Sequence, residues 1–207
     1  MLLDSTLHAH LPPSMATAAV FGGTGAVGSQ ILTTLLGSDA FTSVKTISRR
    51  LPKPQSSKLE ASQEADTSKW GGMISNLSPK PSVVFNAVGT TRADAGGIQN
   101  QWKIDHDLCV ENVKAAKEAG VTTYVYISSA GTRGLMSKFV PYSKMKIGVE
   151  DAIKESDFEH AIILRPGMIL GERETPKSPF LEKFLGSIHK ISPSFQDTIG
   201  MTSPLEH

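Results

Sequence analysis

Three observations predict a doubly wound parallel α/β sheet in a single domain. Short apolar runs alternate with segments of helical periodicity. The first run ends in a cluster of glycines, as at a sharp strand-to-helix turn. Later runs also stop at small or turn-forming residues, as where Tyr124 to Ile127 meets Ser128-Ser129. Strand, helix, strand in repetition makes βαβ units. Right-handed crossovers wind such units into a parallel sheet with helices on both faces.

Taken in order, Ala16 to Phe21 is the first strand. Ile31, Leu32, Leu35 and Leu36 recur at helical spacing and mark the buried stripe of the first helix. Val44 to Ile47 is a second strand. Leu51 to Ser68 is rich in Pro, Ser, Gln and Lys and reads as loop with one weak strand. Val83 to Val88 is the next clear strand. Ile98 to Ala119 predicts one long helix, closed by Gly120 as C-cap. Tyr124 to Ile127 is a strand, Tyr142 to Ile153 a helix, and Ala161 to Leu164 a strand closed by Arg165-Pro166-Gly167. Beyond Gly171 the chain is polar or irregular except for Phe180 to Ile188, which reads as one short helix.

Composition narrows the function. The chain has 207 residues, of which 39% are hydrophobic and 20% charged, and its formal net charge is +1. No strong field points to nucleic acid or an acidic membrane as a general partner. Cys109 is the single cysteine, so no intramolecular disulfide can form, and a reducing compartment is the simpler reading. No stretch approaches the roughly 18 apolar residues of a membrane-spanning helix. Met1 to Ser14 holds no Arg or Lys but does hold Asp4, a poor match to a mitochondrial presequence. The histidines share no metal-ligand spacing with Cys or acids, so no metal is expected. Asp105-His106-Asp107 could suggest acid–base work, but solvated helix charge is the simpler reading, and Cys109 reads as core.

The first strand runs into Gly22-Gly23-Thr24-Gly25-Ala26-Val27-Gly28. Gly22, Gly25 and Gly28 give the GxxGxxG spacing. Such a loop turns tightly, lets backbone approach a pyrophosphate and packs the helix closely on the strand. The helix N-terminus then offers free N–H groups to phosphate. A lone glycine pattern is weak, but this one follows a strand, precedes an amphipathic helix and opens a βαβ unit. Gly22, Thr24, Gly25, Ala26, Val27 and Gly28 are therefore expected at a dinucleotide, and the fold is expected to be of Rossmann type.

An NAD-selective site places an acid at the end of the second strand, about 20 residues past the glycines, to hold the ribose 2′-OH. Here the strand ends Ile47-Ser48-Arg49-Arg50, without an acid. Arg49 and Arg50 suit a 2′-phosphate through charge-assisted hydrogen bonds, so the expected cofactor is NADP(H). The plain alternative is a pair of solvated loop charges.

Tyr142-Ser143-Lys144-Met145-Lys146 puts Tyr142 and Lys146 on one helix face. The Lys146 charge can stabilise a phenolate whose free pKa is about 10. Ser129, at a strand end upstream, can hold a substrate carbonyl while Tyr142 donates the proton. Tyr-x-x-x-Lys by itself is common by chance. Its order after a glycine loop and a strand-end serine gives it weight.

Together these residues resemble the short-chain dehydrogenase/reductase superfamily. The likeness is strongest to the atypical branch of the Tat-interacting metastasis suppressor and its fungal mitochondrial outer-membrane relatives. It is carried by Gly22 to Gly28, Arg49-Arg50, Gly89-Thr90-Thr91-Arg92-Ala93-Asp94-Ala95-Gly96, Ile127 to Gly131, Tyr142 to Lys146 and Leu164 to Gly167. Gly-Thr-Thr-Arg is the most branch-specific element, and the others recur across the superfamily. The resemblance implies Ser129, Tyr142 and Lys146 as the catalytic set. It implies Ala87, Val88 and Gly89 on the adenine and ribose side, Asp66 by the adenine, and Pro166, Gly167 and Met168 near the nicotinamide. It also implies a peripheral position on the cytosolic face of the mitochondrial outer membrane, with a cytoplasmic location as the alternative.

The expected organisation is residues 1–14 as leader, tag or disordered extension, 15–175 as the NAD(P)-binding domain, and 176–207 as a short C-terminal segment. That segment reads as cut short, ending in a vector-derived Leu205-Glu206-His207. Two functions stay open: an NADPH-dependent reductase of a small carbonyl substrate, and an NADP(H)-binding regulatory or scaffold protein with little turnover. A flavin or sugar-nucleotide enzyme fits Arg49 and Arg50 less well.

Overall fold

Strand β1 (Ala16–Phe21) alternates its side chains between two faces, and each face builds its own core. Ala18 and Val20 pack with Leu32 and Leu35 of helix α1 (Ala26–Gly37) and with Val44 of β2 (Phe41–Ser48). Ala19 and Phe21 enter the larger core on the opposite face, with Trp70, Val84, Val113, Tyr124, Tyr126 and Ile153. These relations come from a computed structural model that describes residues 16–134 and 137–167.

The remaining strands are β3 (Leu59–Gln63), β4 (Val83–Asn86), β5 (Thr123–Ile127) and β6 (His160–Leu164). All neighbours are parallel, and the sheet order is β3-β2-β1-β4-β5-β6. The chain therefore winds outward from β1 in both directions. Phe21 is registered with Ile47 on one side and Asn86 on the other. At this reversal the loops after β1 and β4 part, leaving a crevice over the strands' C-terminal ends. The doubly wound parallel sheet and the weak strand after Leu51 are as the sequence predicts.

Two helical features differ from expectation. Trp70–Ser75 forms a short helix, α2, although its Gly71-Gly72 pair disfavours helix. Tertiary packing supports it: Trp70 is buried and stacks on Phe21 at 6.0 Å. The expected continuous helix from Ile98 to Ala119 is instead α3 (Ile98–Trp102), a π-turn (Lys103–Asp107) and α4 (Leu108–Glu118). π-Turns insert a residue and shift which side chains face inward. Here Asp105 becomes fully buried, which overturns its reading as a solvated helix charge, while Asp107 stays exposed. Helix α5 (Pro141–Glu155) follows β5, with Pro141 in its first turn. Met168, the expected helix Phe180 to Ile188 and the segments 1–14 and 176–207 lie outside the described residues. Among the described residues no helix is long and apolar enough to cross a membrane.

Candidate functional site

The crevice at the sheet reversal is a cavity of about 830 Å³. It runs from Arg49 and Arg50 past Gly22 to Val27, along Ala87 to Thr91, to Tyr142 and Lys146. A dinucleotide needs three provisions here: room for its diphosphate, donors for it, and groups at each end.

Room is made by backbone without side chains. Gly22 has φ +77°, and a Cβ there would lie 2.8 Å from the Ala87 carbonyl group. A side chain at this position would be strained and would also strike β4. Gly28 sits inside α1 against the turn, where a Cβ would overlap the Gly22 carbonyl oxygen. Gly28 is not among the cavity-lining residues; its part is close packing of helix on strand. Donors come from the start of α1. Gly25 is its N-cap, with no side-chain cap bond and no acid in the first turn. The first N–H groups are thus left for an anion.

At the end of the cavity beside β2, where the adenosine is expected, Arg49 and Arg50 are exposed and line it, with Leu51 and Lys53 beside them. Ser48 donates to the Arg50 carbonyl at 2.7 Å, which bends the chain as it leaves β2. Asp66 is nearby, since Ala65 and Thr67 line the cavity. Its own carboxylate caps the following turn, accepting from Ser68 N at 3.1 Å and Ser68 Oγ at 2.7 Å. Those bonds hold the carboxyl below the usual range.

At the opposite end, where the reactive centre is expected, Tyr142 is half-buried and Lys146 is buried one helical turn on. The Lys146 ammonium lies 5.9 Å from the Tyr142 ring centroid and 5.0 Å from that of Tyr126, and donates to the Ile127 carbonyl at 3.4 Å. Ser129 is half-buried and within hydrogen-bonding reach of the Tyr142 phenol. It is Ser128 that lines the cavity proper. Burial and the Asp105 carboxylate push the Tyr142 pKa up, and the Ser129 hydrogen bond opposes them. Easy ionisation beside Lys146 is thus not what the surroundings favour. Pro166 and Gly167 are half-buried and outside the lining, though the Pro166 carbonyl accepts from Ala130 N at 2.7 Å and ties the two strand-end loops together.

From the sequence, two acids are not expected at the site: Asp105 reads as a solvated helix charge, and Glu150 is not singled out. Asp105 lines the cavity and accepts from Thr90 N–H at 3.0 Å. Glu150, fully buried on α5, accepts from Ser128 Oγ at 2.7 Å, Arg133 Nε at 2.8 Å and Arg165 Nε at 2.8 Å. Burial pushes its carboxyl up, but the bonds from Arg165, Ser128 and Arg133 outweigh it and hold the pKa at about 2. This cluster binds the ends of β5 and β6 to α5, under the reactive end. Helical spacing puts Glu150 one turn beyond Lys146, the signal by which it could have been found.

A family model described as NAD(P)H-binding matches residues 22–188. The mitochondrial protein fmp52-2 of Neosartorya fischeri is 72% identical over 187 residues, covering 90% of this chain and 80% of that protein. The chain belongs to the NAD(P)H-binding Fmp52 family. A second member, the mitochondrial fmp-52 of Neurospora crassa, is 60% identical over 161 residues, covering 76% and 66%. For the fold, the Bordetella bronchiseptica enzyme WbmH, solved in complex with NAD+, superposes with a TM-score of 0.65 at 21% identity. That match covers 85% of this chain, which spans 63% of the length of WbmH. The Fmp52 relatives thus share most of this chain's sequence, and the bacterial structure shares its fold.

Proposed function

We propose that this Fmp52-family chain is an NADP(H)-dependent reductase of a small carbonyl compound. The observation that carries it is one continuous cavity joining the Arg49–Arg50 pair, the open start of α1 and the Tyr142–Lys146 pair. Arg49 and Arg50 would grip a 2′-phosphate, since guanidinium forks match phosphate oxygens. The α1 N-terminus would hold the diphosphate, and Ala87 to Gly89 would pass along the sugar. Lys146 would meet the nicotinamide ribose. When bound, the nicotinamide supplies the hydride. Ser129 would hold the substrate oxygen, and Tyr142 would give it a proton.

The reading is tested by NADPH oxidation against a panel of small aldehydes and ketones. Turnover by the unmodified chain should fall by about 10² or more in Tyr142→Phe, the range in which general acids act. A second reading, an NADP(H)-binding regulatory protein, is favoured by Ser129 standing outside the cavity lining and bonding the Ala130 carbonyl at 3.4 Å. Tight NADPH binding with no Tyr142-dependent turnover on any carbonyl would select it.

From the relatives' names we infer a mitochondrial location. The resemblance to outer-membrane members supports a peripheral site on the cytosolic face. Kinship with the Tat-interacting branch rests on Gly89-Thr90-Thr91-Arg92.

A further inference from the structure

We propose that the buried Asp105 carboxylate is a positioning residue of the Tyr142–Lys146 centre, which offsets the Lys146 charge and keeps Tyr142 a neutral proton donor. This role presupposes the reductase reading and narrows it to a site built to give a proton.

The π-turn presents Asp105 to the cleft with none of its surface exposed. Thr90 N–H fixes its Oδ1 at 3.0 Å, so the loop after β4 holds the carboxylate in one place. A Cβ on Gly89 would lie 3.1 Å from Asp105 Oδ1 and 3.8 Å from Lys146 Nζ. Carboxylate and ammonium therefore border the same side of Gly89, one from the π-turn and the other from α5. Opposite charges this near, shielded from water, influence each other and their neighbours strongly.

Other titratable or polar groups near Tyr142 and Lys146 come from α4, β5, the loop after β5 and the π-turn. Cys109 of α4 is buried, and its thiol is pushed up to about 12. Burial also pushes the Tyr126 phenol of β5 far up. Both are neutral in ordinary buffers. Ser129 adds a hydroxyl from the strand-end loop. His106 of the same π-turn packs on Gly148 of α5 and pairs with Asp107 at 2.8 Å. Of the charged groups, Asp105 acts on the phenol and Lys146 lies 5.9 Å from its ring centroid. An ammonium alone would draw Tyr142 toward phenolate, the form that takes a proton from an alcohol. With a carboxylate beside it that pull is cancelled, and burial and Asp105 both favour the phenol. In reduction the Tyr142 O–H bond breaks as the alcohol product's O–H bond forms, the nicotinamide cofactor is the reductant, and water returns the proton to Tyr142.

Tyrosine labelled at Cζ reports ionisation by NMR, and the chain has three tyrosines. Tyr142→Phe identifies the Tyr142 signal. In Asp105→Asn, which keeps an acceptor for Thr90 N–H, the Tyr142 midpoint should fall by about one pH unit or more. An unmoved midpoint in folded Asp105→Asn overturns the proposal. Should that variant not fold, Lys146→Met carries the test, because the carboxylate is then unopposed. The midpoint should rise by about one unit, and a midpoint that stays or falls overturns the proposal. No substrate enters these titrations. An absence of carbonyl turnover would thus sink the reductase reading by itself, and an unmoved midpoint with Tyr142-dependent turnover would sink the role of Asp105 by itself.

Discussion

At one end of the cleft, Arg49 and Arg50 stand exposed on the loop after β2. At the other, Lys146 is 4% exposed, and Asp105 and Glu150 are 0% exposed. The two ends serve one ligand in the proposed function, yet they handle charge in opposite ways. Exposed guanidiniums keep their water until a phosphate replaces it, so their removal costs the fold little. Buried charges must be matched within the protein, so removing one disturbs its neighbours and the fold with them. The adenosine end is thus a place where selectivity can change cheaply. In the proposed function, the reactive end is a place where chemistry and stability are coupled.

The largest expected effect falls on what the two ends share. Gly28→Val would drive a side chain into the Gly22 carbonyl, where even a Cβ has no room. We expect a loss of about 3 kcal/mol or more in urea unfolding, together with loss of NADPH binding. Unchanged binding would mean that the glycine turn is not the common floor of both ends.

Next is Glu150→Gln, which should strike the reactive end alone. Its folded pKa of about 2 lies below the ordinary value of 4.5. The stability it contributes is therefore complete above pH ~4.5 and lost as pH falls toward ~2. The two guanidiniums are partly exposed, at 41% and 40%, and can recover water, which reduces the loss. We expect the variant to be about 2 kcal/mol less stable at neutral pH, with a flatter decline of stability in acid, read by thermal unfolding across pH. NADPH affinity should change little. If affinity fell as far as stability, the separation of the two ends would be wrong.

Legibility in the sequence follows the same division. The glycine loop, the arginine pair and Tyr142 with Lys146 were readable because each is a local pattern: a turn, a strand end, one helix face. The sheet order was readable because alternating strands and helices leave few handed windings. What stayed hidden depends on packing between distant segments. Asp105 looks like one more helix charge until the π-turn rotates it inward. Glu150 looks like surface until Arg133 and Arg165 close over it. Helix α2 carries two glycines and exists because Trp70 finds Phe21 across the core. Asp66 shows the converse: the resemblance implies it beside the adenine, while the structure commits its carboxylate to Ser68 and puts Ala65 and Thr67, not Asp66, in the cavity lining.

The smallest structural disturbance gives the most direct test. Arg49→Ala and Arg50→Ala should leave the unfolding curve almost unmoved while changing which cofactor is held. NADPH and NADH are titrated against the unmodified chain and the double variant, followed by the fluorescence of the reduced nicotinamide. We expect NADPH to bind the unmodified chain at least about tenfold more tightly, and most of that advantage to vanish in the variant, since charge-assisted hydrogen bonds contribute about 1.5–3 kcal/mol each. Equal affinity of the unmodified chain for the two cofactors would contradict the account.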